Sequence, residues 1–117
     1  MQKTFIESGE FTAWVKSYLT DDDLAASQRK LLAEPGLGDV IPGCGGLRKL
    51  PVADPKRGKG KRGGARVVYL HIPEAKRIYL ITVYGKDQKD DLSAHDKKLY
   101  RQLVGMLKNQ ARRSEGE

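Results

Sequence analysis

ARVVYLHIPEAKRIYLITVY, residues 65–84, contains two long runs that are rich in β-branched and aromatic residues. The runs Ala65–Ile72 and Arg77–Tyr84 have the length and composition of β-strands. The four residues between them, Pro73–Lys76, permit a hairpin. This stretch therefore predicts a pair of antiparallel strands at the centre of a sheet.

Shorter elements are predicted on the N-terminal side of this pair. Lys3–Glu7 and Leu47–Val52 are candidate strands. Ser8 is a candidate cap for a first helix, whose apolar face is expected to contain Phe11, Trp14, Val15, Tyr18 and Leu19. Thr20, followed by three aspartates, predicts the start of a second helix that ends at Glu34, before a Pro-Gly pair. Its inward residues are expected to be Leu24, Leu31 and Leu32.

The C-terminal side predicts one more helix. Ser93 and Asp96 have the spacing of a capping box. The apolar stripe that follows consists of Leu99, Tyr100, Leu103, Val104 and Leu107. The predicted order is β-α-α-β-β-β-α, an α+β fold with an antiparallel central sheet, two N-terminal helices and one C-terminal helix. We expect the helices to cover one face of the sheet, with a single domain over residues 1–110 and a frayed tail over residues 111–117.

The net charge of +7 is concentrated in one segment. Residues 48–66 contain eight basic side chains and one acid, Asp54, whereas the remaining 98 residues contain 14 basic and 14 acidic side chains. Glycines and prolines separate the charges, which is typical of a cationic loop. The expected partner of such a loop is a polyanion.

Several classes of function are disfavoured by composition. A lone cysteine, Cys44, forms no internal disulfide or cysteine-cluster metal site. The acids Asp21–Asp23 are explained by a helix start, and Asp87, Asp90 and Asp91 have no partnering histidine, so no metal or cofactor is expected. No apolar run has membrane-spanning length, and the N-terminus lacks a signal-peptide core, so we expect a cytoplasmic protein that does not enter the membrane.

The basic residues beside the predicted strands could act on RNA. Cleavage without a metal requires a 2′-hydroxyl placed in line with its own phosphate, stabilisation of the charge on the phosphoryl oxygens, and proton transfer to the leaving 5′-oxygen. Arg66, Lys86 and Tyr84 could converge at one edge of the sheet for these tasks. Plain phosphate binding by the same residues is the alternative.

Three segments in this order resemble the HigB branch of the RelE toxin superfamily: residues 45–50 (GGLRKL), residues 60–69 (GKRGGARVVY) and residues 81–86 (ITVYGK). The similarity extends over about residues 3–108. It implies a compact microbial-RNase-like (RelE-type) fold. It also implies a toxin of a type II toxin–antitoxin system, an mRNA interferase that enters the ribosome and cleaves translated mRNA without a metal.

The resemblance also implies partners and roles. The partners are mRNA on the ribosome, 16S rRNA and a cognate helix-turn-helix antitoxin, with DNA contacted only indirectly through the antitoxin complex. By position, Arg66 matches the strand arginine that contacts the scissile phosphate, and Lys86 matches a basic residue after the last strand. Arg48 and Lys49 fall in the segment that carries the family's basic pair. One of these two is expected to assist activation of the 2′-hydroxyl. Residues expected to bind RNA or the ribosome are Lys56, Arg57, Lys59, Lys61 and Arg62.

The chain departs from the family pattern in two respects: the basic pair Arg48 and Lys49 is adjacent where the family pair alternates, and two positions after the last predicted strand differ. Asp87 stands where RelE-type members have an arginine, and Ser93 falls near the position of a downstream tyrosine. Tyr84 is the candidate replacement for that tyrosine. A non-catalytic RNA- or ribosome-binding module of the same fold is therefore the alternative function.

Overall fold

A computed structural model describes residues 3–54, 58, 60, 63–89 and 91–116, with side chains to residue 113. The described residues form five strands and three α-helices, with short 3₁₀ turns at Val15–Ser17 and Pro73–Ala75. Their bounds are β1 (Thr4–Glu7), α1 (Gly9–Trp14), α2 (Asp21–Ala33), β2 (Asp39–Val40), β3 (Arg48–Val52), β4 (Ala65–Ile72), β5 (Arg77–Gly85) and α3 (Ala94–Gly116). The α+β class and the predicted central strand pair are confirmed.

The five strands form one sheet in the order β1-β5-β4-β3-β2. The pairs β2–β3, β3–β4 and β4–β5 are antiparallel, whereas the pair β1–β5 is parallel, so the sheet is mixed. The predicted antiparallel centre of the sheet is confirmed, and β1 adds a parallel pair at one edge. The sequence of a four-residue strand does not indicate whether it pairs in parallel or antiparallel. Parallel strands need a long connection between them, and the connection from β1 to β5 includes α1 and α2.

Both faces of the sheet are buried, which corrects the prediction that helices cover one face. In β4, Val67 and Tyr69 pack with residues of α1 and α2 in one apolar cluster, whereas Val68 and Leu70 pack with residues of α3 in a second cluster. An uninterrupted apolar run such as Val67–Leu70 is typical of a strand that is buried on both sides. We call these surfaces the α1 face and the α3 face.

The helix starts are confirmed in detail. The Thr20 hydroxyl accepts from the Asp23 N–H at 3.1 Å, and the Ser93 hydroxyl accepts from the Asp96 N–H at 3.0 Å. In both cases the aspartate carboxylate accepts from the cap residue's own N–H, which completes a capping box. α3 continues to Gly116, with Ala111 buried in the second cluster. No helix in the described part of the chain is long and apolar enough to cross a membrane.

Three side chains that were predicted to face the core are exposed. Trp14, Leu32 and Leu99 are 54%, 43% and 50% exposed, respectively. Trp14, the last residue of α1, lies at the border of the apolar face, where Phe11 and Val15 take the core contact. Leu32 and Leu99 lie at the borders of their apolar stripes, where the adjacent residues Leu31 and Tyr100 pack against the core.

Tyr69 joins the glycine-rich connection to the sheet. Its buried hydroxyl donates to the Pro35 carbonyl at 2.7 Å and accepts from the Gly38 N–H at 2.9 Å. Replacing Tyr69 by phenylalanine leaves both backbone groups unpaired, so we expect the free energy of unfolding to fall by about 2 kcal/mol. Urea unfolding measures this change.

Tyr79→Phe is the matched control. Among the described residues, the Tyr79 hydroxyl accepts a 3.2 Å hydrogen bond from the Arg77 side chain and bonds no backbone group. Equal losses in the two variants would contradict a structural role for the Tyr69 hydroxyl.

Candidate RNA-binding site

Arg66 and Tyr84 are direct neighbours across β4 and β5. Arg66 is 9% exposed and Tyr84 is 4% exposed, and Tyr84 belongs to the apolar cluster of the α3 face. Cross-strand partners project from the same side of a sheet. The structure therefore brings together two of the residues that the sequence indicated.

Lys49 lies on the same face. It pairs with Val68 of β4, two residues along from the position where Pro51 pairs with Arg66. Because side chains two residues apart share a face, Lys49 is diagonal to Arg66. Its ammonium lies 3.7 Å from the Asp91 carboxylate, which also accepts a 3.1 Å hydrogen bond from Lys97 of α3.

Asp91 is a site residue that the sequence did not reveal. Partial burial raises the pKa of this carboxyl, but hydrogen bonds from Lys97 and from the Leu92 N–H, with the charge of Lys49, lower it by more. The carboxylate therefore remains charged between the two ammonium groups. The position of Asp91 in the sequence predicted a solvated loop, because no sequence pattern indicates a contact between residues 91 and 49.

The Tyr84 hydroxyl is buried and has no hydrogen-bond partner in the part of the chain that the structure describes. Burial raises the pKa of this phenol above its ordinary value of 10.0, and the Asp91 charge raises it further, whereas Arg66 lowers it. Tyr84 therefore stays protonated at neutral pH and can donate a hydrogen bond but does not serve as a base. The Lys89 ammonium lies 5.2 Å from its ring centroid, within the range of a cation–π contact.

Arg48 lies away from these residues. It pairs with Tyr69, which belongs to the cluster of the α1 face, and its guanidinium donates to the carbonyls of Gly36 and Gly38 at 3.2 and 2.7 Å. These bonds connect β3 to the preceding loop. Of the two adjacent basic residues, Lys49 lies on the same face of the sheet as Arg66, and Arg48 lies on the opposite face.

Lys86 follows the end of β5, two residues after Tyr84. Its N–H donates to the Gly64 carbonyl at 2.8 Å, which continues the β4–β5 pairing beyond Arg66. A side chain at Gly64 would overlap the Val52 carbonyl oxygen, so a glycine lets β3 and β4 approach closely here. Lys86 is half-buried at the same end of the sheet as Arg66.

The predicted RNA- or ribosome-binding residues Lys56, Arg57, Lys59, Lys61 and Arg62 lie outside the described residues. The described residues on either side of this segment include the buried Asp54 before it and Arg66 after it.

In the described part of the chain, no three His, Cys, Asp or Glu side chains form a group that could hold a metal ion. Cys44 is buried against α3, with its sulfur 3.9 Å from the Lys97 carbonyl oxygen.

His71 lies at the other end of β4 and gives a pH prediction. Burial lowers the pKa of its imidazole below 6.5, as does the charge of Lys3, while Glu74 opposes the shift. Below pH 6.5 the unfolded chain therefore binds the proton more readily than the folded chain does. The stability contribution of neutral His71 is complete above pH 6.5 and is lost as the pH falls towards the folded-state pKa.

We expect the urea midpoint of the unmodified chain to fall more between pH 7.5 and pH 5.5 than that of a His71→Gln variant. Identical pH dependence in the two proteins would show that His71 is not a source of this change.

No protein-family model matches the chain. Among solved structures, the chain is similar to a mutant of the E. coli toxin RelE in the free state, with a TM-score of 0.53 and 19% sequence identity. The match covers 77% of this chain and 90% of the RelE chain. The similarity confirms the predicted RelE-type fold.

Proposed function

We propose that this protein is the toxin of a type II toxin–antitoxin system, an endoribonuclease that cleaves mRNA on the ribosome. The observation that supports this function best is the cross-strand pair Arg66–Tyr84 with Lys49 on the same face, built on a RelE-type sheet. The sequence segments around these residues resemble the HigB branch of that superfamily. The site of action is the cytoplasm, where ribosomes translate.

The proposed reaction is a transesterification within the RNA. The 2′-oxygen attacks the adjacent phosphorus and loses its proton, the bond between phosphorus and the 5′-oxygen breaks, and the leaving oxygen takes up a proton. The products are a 2′,3′-cyclic phosphate and a 5′-hydroxyl. Negative charge on the phosphoryl oxygens increases during the attack, so fixed cations accelerate the step.

The polar residues of the candidate site have proposed roles in this reaction. Arg66 is held rigidly between two strands, so its guanidinium stabilises the phosphoryl charge without reorganisation. Lys86, at the end of β5, binds the same phosphate, and Lys49 assists activation of the 2′-hydroxyl while Asp91 holds it in place. The Tyr84 hydroxyl donates a hydrogen bond to the phosphate, which provides the partner that it lacks among the described residues.

The proposed partners follow from the function. The chain binds mRNA in the ribosome and contacts 16S rRNA, and a cognate helix-turn-helix antitoxin neutralises it by covering the cationic surface. DNA is reached only through that antitoxin complex. The reaction as proposed uses the protein's own side chains and no cofactor.

Expression in a bacterium tests the function. We expect growth to stop within minutes of induction and translated messages to be cut, and co-expression of a cognate helix-turn-helix antitoxin to restore growth. Normal growth with intact messages would contradict the proposed function.

Substitution at the adjacent residues 48 and 49 distinguishes their roles. We expect Lys49→Gln to slow cleavage about 10²-fold or more with little change in stability, because its ion pair is partly exposed. Arg48→Gln removes the bonds to the 36–38 loop, so we expect lower stability and an unchanged rate per folded molecule. Cleavage assays together with urea unfolding measure both effects, and the reverse pattern would contradict the assignment of Lys49.

A non-catalytic RNA- or ribosome-binding module is the second candidate function. The burial of the Tyr84 hydroxyl and its raised pKa favour this alternative, because a phenol of this kind is a weak proton donor to a leaving group. Binding that weakens steeply with salt, together with the absence of 2′,3′-cyclic phosphate ends, would identify the binding module.

A further inference from the structure

α3 has a second concentration of positive charge, separate from the 48–66 segment. Residues 97–113 contain six basic side chains and no acid. Four of them, at positions 97, 101, 108 and 112, fall within about 60° of one another around a helix of 3.6 residues per turn. We call this set the basic edge: Lys97, Arg101, Lys108 and Arg112.

The glycine-rich loop before β3 holds the middle of the basic edge. Arg101 donates to the Gly43 carbonyl at 3.3 Å, and Lys108 donates to the Gly45 carbonyl at 2.5 Å. Val104, between them on the helix, is buried in the cluster that includes Cys44. The exposed side chains of Arg101 and Lys108 are thus both held against the backbone of this loop.

One end of the basic edge reaches the candidate site. Lys97 bonds the Asp91 carboxylate, whose other oxygen lies 3.7 Å from the Lys49 ammonium. Lys49 is in turn diagonal to Arg66 on the same face of the sheet. Arg66, Lys49 and Lys97 therefore form a row of cations from the sheet to α3, with the Asp91 carboxylate between Lys49 and Lys97.

The other end of the basic edge opens into a cleft of about 370 Å³. Lys108, Arg112 and His71 line this cleft, and Glu74 is the acid at its wall. The buried Nε2 of His71 has no hydrogen-bond partner in the described part of the chain. Asp91 and Glu74 lie at the two ends of the basic edge, and its central pair, Arg101 and Lys108, contacts neutral carbonyls.

We propose that the basic edge is a second binding surface for RNA, which holds the phosphodiester backbone of nucleotides that lead away from the scissile phosphate. The helix rise separates Lys97 from Arg112 by about 22 Å, which corresponds to about six phosphates at the 3.4 Å spacing of a stacked strand. The inference rests on the proposed function for the identity of the phosphate at Arg66. The RNA is either the message beyond the cleavage point or a ribosomal RNA strand, since both present the same backbone chemistry.

The test is a binding measurement on the full chain with Lys108→Gln and Arg112→Gln combined. The matched control combines Arg29→Gln and Lys98→Gln, which removes the same charge from exposed positions off the basic edge. One arm measures fluorescence anisotropy with a 12-nucleotide single-stranded RNA, and the other measures binding to ribosomes with an empty A site. Thermal unfolding verifies that both variants are folded, and a Lys108→Arg, Arg112→Lys variant keeps the charge.

We expect the 108/112 variant to bind about tenfold more weakly than the control variant and to lower the slope of log affinity against log salt by about 1.4. The charge-preserving variant is expected to restore both values. A loss in the oligonucleotide arm identifies the message strand, and a loss in the ribosome arm alone identifies ribosomal RNA.

Equal binding by the 108/112 variant and the control variant in both arms would overturn the inference. That result is separate from failure of the proposed function, which is a lack of cleavage by the unmodified chain. The binding comparison remains interpretable in either case, because it does not use cleavage as a readout.

Discussion

Replacing Arg66 with alanine is expected to slow cleavage of a translated message by about 10²- to 10³-fold. Arg66 lies on β4, between β3 and β5, and only 9% of the residue's surface is exposed, so its side chain is positioned before the RNA binds. Alanine removes this fixed charge, and water cannot replace it with comparable preorganisation. The rate is measured with purified protein and translating ribosomes.

Arg77→Ala is the matched control for this experiment. Arg77 lies at the opposite end of β5, where its guanidinium contacts the Tyr79 hydroxyl. The same substitution there is expected to leave the rate within about twofold, because surface changes away from a site have small effects. Comparable rates for the two variants, at comparable melting temperatures, would contradict a role for Arg66 in stabilising the phosphate.

Replacing Phe11 with alanine is expected to lower the free energy of unfolding by about 3–5 kcal/mol. Phe11 is fully buried in the cluster that joins α1 to β4 and β5. The cavity left by the ring cannot collapse fully, because Val15, Leu80 and Val83 pack in the same cluster. This loss is a large fraction of the total stability of a small domain, so the unfolded population should become detectable without denaturant.

Trp14→Ala provides the comparison on the same helix. Trp14 is 54% exposed, so its removal should cost less than about 1 kcal/mol even though the side chain is larger. Urea unfolding of both variants measures the difference. A greater loss for Trp14 than for Phe11 would show that the apolar face of α1 is assigned incorrectly.

Local signals were sufficient for much of the fold. The length and composition of residues 65–84 predicted the central pair, and the capping boxes at Thr20 and Ser93 predicted two helix starts, all of which the structure contains. The parallel pairing of β1 could not be predicted, because it depends on a partner more than 70 residues away. The apolar run in β4 is typical of a strand that is buried on both sides, although the helices were expected to cover only one face of the sheet.

Register explains what the sequence could not determine about the candidate site. β5 has an irregularity opposite Val68 and Tyr69, so that Leu80 pairs with Tyr69 but Thr82 pairs with Val68. The extra residue reverses the alternation, and Tyr84 consequently faces the Arg66 side instead of the side of Ile78 and Leu80. A regular strand would have placed Tyr84 away from Arg66.

The roles of the adjacent cations Arg48 and Lys49 depend on register in the same way. Both are basic and neighbouring, so composition does not distinguish them, whereas pairing with Tyr69 and Val68 places them on opposite faces. The contact of Lys49 with Asp91 depends on the docking of the segment before α3 against β3, which no local pattern encodes. The assignment of Arg66 needed only its place near the start of a well-predicted strand.

The chemistry of the cut ends is the most direct test of the proposed function. Purified protein is incubated with translating ribosomes and with the same message free in solution, and the new ends are mapped and identified. The proposed reaction predicts cuts in the translated message alone, with 2′,3′-cyclic phosphate and 5′-hydroxyl ends. Uncut messages, or ends with a 3′-hydroxyl and a 5′-phosphate, would contradict cleavage through the 2′-hydroxyl at Arg66.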